Sequence, residues 1–195
     1  MIKTTAILME EQKEYRYPAN KISRMVSEGT IFPVVRGLYT TDKNFPGQFL
    51  AASIYGPSYL SFDFALSYWG LIPEAVYVYS SATFDKKKKK QFKTEFGLFT
   101  YRDVPKKAYP LGIQIVKSGE NAFFIADSEK ALCDKLYTLS PVANQDALSE
   151  LLFSNLRIDE SDFTLMDFGK MAYYARFYRT TNHKLLIKML GKHKN

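Results

Sequence analysis

The amino-acid sequence predicts an α+β protein, a short N-terminal head followed by a larger body. Three observations carry this expectation. Segments with helical apolar spacing and segments rich in β-branched and aromatic residues are segregated along the chain, not alternating as βαβ units. Isolated glycines punctuate them. Apolar residues make up 46% of 195 positions, with 15 Phe and 14 Tyr to fill a sizeable core.

Residues 4–13 predict a short helix. Pro18, with a φ suited to a first helical turn, opens a second, in which Ile22, Met25 and Val26 form one buried face and Gly29 supplies the stop. Residues 30–41 predict two short strands joined at Arg36-Gly37. Helix, glycine, strand, basic turn and strand is the order found in the back half of a winged helix, and residues 1–44 are read as such a head. Fewer than 30 residues precede Gly29, little room for a three-helix unit.

The body is expected over 45–195. Residues 45–55 predict a helix ended by Gly56-Pro57, and Ser61 is a candidate N-cap for a helix over 62–69 closed by Gly70. A strand is expected over 75–81, a hairpin over 91–104 turned near Gly97, and another over 112–125. These strands predict an antiparallel sheet. Asp127 is a natural N-cap for a helix striped by Leu132, Leu136 and Leu139, and Glu129 suits its positive end. Helices over 144–153, 163–178 and 183–190 complete a helical C-terminal part beginning at about 144.

Charge is distributed in blocks. Residues 85–110 carry nine bases against three acids, 111–169 four bases against ten acids, and 170–195 seven bases and no acid. Two basic blocks flanking an acidic one suit a polyanionic partner, through release of condensed counterions, or an acidic protein. They equally suit a solvated loop and tail that hold nothing specific. Lys86, Lys87, Lys88, Lys89 and Lys90 form the densest run, and Arg176, Arg179, Lys184 and Lys188 the tail set; both are possible polyanion or partner contacts.

The sequence offers little chemistry. Cys133 stands alone on an apolar-striped helix and reads as core filling, and neither His183 nor His193 has a second ligand at metal-binding spacing. The glycines form no phosphate-binding loop. Asp127 and Glu129 are explained by capping and dipole, and Asp134 reads as a surface or ion-pair residue near Lys130. No catalytic residue, metal or cofactor is expected. One cysteine, no apolar run near the roughly 20 residues of a membrane span, and no secretory pattern at the start point to a cytoplasmic protein.

Three segments resemble a known family. Tyr17-Pro18-Ala19-Asn20-Lys21-Ile22 through Gly29, then Val35-Arg36-Gly37-Leu38-Tyr39, are similar to the winged-helix head of AbiEi-type antitoxins. The run from Tyr59 to Leu71, YLSFDFALSYWGL, resembles that family's Y-[IL]-S-F-x-x-A-L-x-x-x-G-L block, and Ala126 to Asp134 its A-x-x-E-K-A-[LI]-x-D block. The resemblance covers about residues 15–140. It implies a head that binds double-stranded DNA at inverted repeats in the promoter of its own operon, and a body that opposes a nucleotidyltransferase-like toxin in a type IV toxin–antitoxin, or abortive infection, system. The residues expected on DNA are Lys21, Arg24 and Arg36, with Asn20 either at a base edge or phosphate or engaged in local helix-start hydrogen bonding. The Ser61 and Ala126 blocks read as scaffold. The alternatives are an interaction module whose head no longer reads DNA and, least favoured, a nucleic-acid-processing enzyme built around Asp103 or Asp127.

Overall fold

The computed structural model describes residues 1–192, so His193 lies outside the described residues. The chain is a mixed α+β structure: an N-terminal set of short strands and helices, a central sheet, and C-terminal helices. No helix among the described residues is long and apolar enough to cross a membrane.

The N-terminal set runs β1 (Ile2–Thr4), α1 (Thr5–Glu11), α2 (Pro18–Ser27), β2 (Phe32–Val35) and β3 (Leu38–Thr40), its strands forming an antiparallel sheet in the order β1-β3-β2. Thr4 caps α1 by accepting from the Ile7 amide at 3.3 Å. Helix α2 ends in a Schellman arrangement: Gly29, at φ +69°, and Thr30 donate their amides to the Val26 and Met25 carbonyls at 3.1 and 2.9 Å. Leu8, Ile22 and Ile31 form a small apolar cluster of their own. Val34 and Leu38, on the hairpin, belong instead to the main core.

The main sheet has the order β6-β7-β5-β4-β9-β8, from β4 (Tyr59–Leu60), β5 (Val78–Thr83), β6 (Lys90–Thr94), β7 (Gly97–Asp103), β8 (Ile113–Ser118) and β9 (Asn121–Ala126). The expected antiparallel sheet is in fact mixed. The hairpins β6–β7 and β8–β9 are antiparallel as predicted, but β5 runs parallel to β7 and β4 parallel to β9. The two-residue β4 joins the halves, with Leu60 opposite Ser81 on one side and Ile125 on the other.

Three further expectations change. Residues 45–55 give a 3-10 turn, Gly47–Phe49, and a four-residue α3 (Ala51–Ile54) in place of one helix. Helix α4 (Phe62–Tyr68) follows Ser61, but that hydroxyl makes no cap bond. The single helix expected over 163–178 is two, α7 (Glu160–Leu165) and α8 (Phe168–Ala175), because Asp167 starts a new helix by accepting from the Lys170 amide at 2.9 Å. Helix α5 (Ser128–Thr138) begins as predicted, Asp127 accepting from the Lys130 amide at 2.8 Å. Helix α6 (Gln145–Ser149), a π-helical continuation over Glu150–Asn155, and α9 (Thr181–Lys192) complete the chain.

Candidate nucleic-acid interface and a buried polar centre

Helix α2 turns Ile22 inward, with Met25 and Val26 packed beside it. At 100° per residue the opposite side carries Asn20 and Arg24, both exposed, with Lys21 at its flank. Lys21 lies half-buried with its Nζ 5.3 Å from the centre of the Tyr15 ring. Arg24 is engaged: its Nε donates to Glu28 Oε1 at 2.7 Å, which holds the guanidinium further into its charged form while its side chain stays 72% exposed. Arg36 is exposed on the β2–β3 turn, whose Gly37, at φ +85°, accepts from the Thr5 amide at 3.0 Å and so ties the turn to the start of α1. Three of the four expected residues therefore share one helix, and the fourth stands on the hairpin.

The lysine run occupies the connection from β5 to β6 and the first position of β6. Lys86 is anchored, donating to the Gly56 carbonyl at 2.9 Å over the Tyr55 ring, whereas Lys87 to Lys90 are exposed. Asp103 holds this connection in place, its two carboxylate oxygens accepting from the Thr83 hydroxyl at 2.6 Å and the Lys87 amide at 2.7 Å. Arg176, Arg179, Lys184 and Lys188 are all exposed at the other end of the chain.

The Ser61 and Ala126 blocks meet in the interior. Lys130 and Asp134 both have no solvent exposure, which corrects the surface reading of Asp134, and they pair at 2.6 Å. The Lys130 ammonium donates its three protons to Asp134 Oδ1, the Tyr59 hydroxyl and the Tyr178 hydroxyl, each at 2.6 Å. Asp134 in turn accepts from Tyr59 at 3.0 Å, Ser61 at 2.7 Å and Tyr178 at 2.6 Å. Here is where the Ser61 hydroxyl goes instead of capping α4. Desolvation and the neighbouring carboxylate push both phenols well above their usual range, so they donate hydrogen bonds and do not ionise.

A second layer lies nearer the surface. Lys170 pairs with Asp127 at 2.8 Å and reaches Glu129 at 3.5 Å; burial opposes its charge, and the two carboxylates more than reverse that. Glu129 also accepts from the Asp167 amide at 2.9 Å. Every charge in this centre has a partner, and the arrangement clamps β4, α5 and α8 with the segment after it. Cys133, beside it and wholly buried, has its thiol pushed up by desolvation, which keeps it protonated and inert. Among the described residues no group of three or more His, Cys, Asp or Glu could hold a metal ion. No family model matches the chain, and no curated protein matches it.

Proposed function

We propose that the N-terminal set of elements docks on duplex DNA as a winged helix, and that the chain is an antitoxin and autoregulator of the AbiEi kind whose body opposes a nucleotidyltransferase-like toxin. The observation that carries the DNA half is the topology. Two helices joined by a six-residue turn are accompanied by a sheet ordered β1-β3-β2, and the outward side of α2 carries Asn20 and Arg24 with Lys21 at its flank. In this reading α2 enters the major groove, and Arg36 on the hairpin turn reaches a phosphate. The body serves as scaffold, held by the Lys130–Asp134 centre. The engagement of Arg24 by Glu28 favours the second reading, a head that no longer reads sequence and a body that works through protein contacts alone.

An electrophoretic mobility-shift series on the full chain tests the first reading. Preference for the DNA upstream of its own gene over random duplex is expected, with Lys21→Ala and Arg36→Ala each weakening affinity and reducing the salt slope by about one unit. Equal retention of both DNAs leaves the second reading.

A further inference from the structure

We propose that the body carries a phosphate-binding cleft for a nucleotide-sized ligand, separate from the DNA-docking head and not dependent on it. A cleft of about 630 Å³ lies between one face of the main sheet and the facing residues of α4 and α5. It is lined by three cationic side chains, Lys89, Arg102 and Lys135, against the single carboxylate of Asp63, while Lys90, paired with Tyr101, borders it from the opposite face of the sheet. That volume is in the range of small-molecule and cofactor sites.

Four features make this more than a basic surface. Sheet register places Arg102 opposite Ala82 of β5, on the side of the sheet that faces the cleft along with Ser80 and Thr100. Lys135, with its side chain 16% exposed, is fixed at the wall by Asp63 at 2.6 Å, which also neutralises the one acid present. Lys89 and Arg102 have no acidic partner among the described residues, so their charges are available to an incoming anion. Phe62 of the wall sits at φ +56°, a conformation unfavourable for a bulky L-residue, held where Ser61 is tied to Asp134. Lys89, Arg102 and Lys135 around one cleft suit a di- or triphosphate, and the apolar Phe62 wall suits a base more than a further charged group.

The test is calorimetric titration of the full chain with adenosine triphosphate, tripolyphosphate and adenosine. The triphosphate is expected to bind, tripolyphosphate to compete with it, and adenosine to leave no signal. Arg102→Gln and Lys89→Gln, which remove cations without opening the core, are each expected to weaken binding about tenfold, equivalent to about 1.4 kcal/mol. Their thermal unfolding midpoints should match the parent. Lys88→Gln, next to the cleft but outside its lining, should stay within about twofold, a difference too small to mark a direct charged contact. Displacement of the nucleotide by a 5′-triphosphorylated oligonucleotide, and not by its unphosphorylated form, would make a nucleic-acid terminus the source of the phosphates; no displacement by either would make it a free nucleotide. The proposal is overturned by absence of nucleotide binding, or by an equal loss in Lys88→Gln and Arg102→Gln, which would reduce the cleft to diffuse charge.

Discussion

His183 stacks on Tyr178 with ring centres 4.3 Å apart, its Nε2 2.9 Å from the Cys133 carbonyl and its Nδ1 2.6 Å from the Thr180 hydroxyl. Desolvation outweighs the carbonyl contact and lowers its pKa from 6.5 to about 4. Between those values the unfolded chain binds a proton that the folded chain does not. Stability is therefore complete above pH 6.5 and declines as pH falls toward 4, by about 3 kcal/mol in all. The thermal midpoint should drop between pH 7 and pH 4.5, and the His183 imidazole should titrate near 4 by NMR; a midpoint near 6.5 would remove this contribution. Much at this scale was legible in the sequence and some was not. The i,i+4 spacing of Lys130 and Asp134 discloses their pairing. Their burial depends on Tyr59, Ser61 and Tyr178, which lie 44 to 75 positions from Asp134, and no local pattern reports partners so distant.

Elements meet where backbone has no room for a side chain. Gly112, before β8, adopts φ +63° and accepts from the Asp127 amide at 2.8 Å. A Cβ there would lie 2.7 Å from Lys130 Cβ and 2.9 Å from Tyr174 Cε2. Gly112→Ala should cost about 3 kcal/mol in urea unfolding, the sum of left-handed strain and overpacking. Gly119→Ala, at φ +59° with nothing near its Cβ, should cost about 1 kcal/mol, the strain alone. The two hairpins and the cap at Asp127 could be read directly, since turn glycines and helix starts are local signals. Strands β1 and β4 could not, being three and two residues long and defined by their partners. Nor could the parallel pairings, because alternation along a strand is the same whichever way its neighbour runs. Asp167 was the available sign that the helix over 163–178 would break, a capping residue inside an otherwise continuous apolar pattern.

At the level of the whole molecule, the head was legible as a sequence of elements and as a cationic helix face, while its seating was not. The cleft was only half hidden, since the β6–β7 hairpin sets Lys89 beside Arg102, but nothing local brings Lys135 of α5 to face them. Val34 and Leu38 stand in the main core, where each contributes about 1.5–3 kcal/mol through burial. Residues 45–195 expressed alone should accordingly melt on the order of 10 °C below the full chain. An unchanged midpoint would mean that the head adds nothing to the body's stability. A head pegged into its body by two such side chains is restrained in its swing. If the proposed DNA reading holds, the spacing between two bound copies would reflect this seating more than the length of a tether.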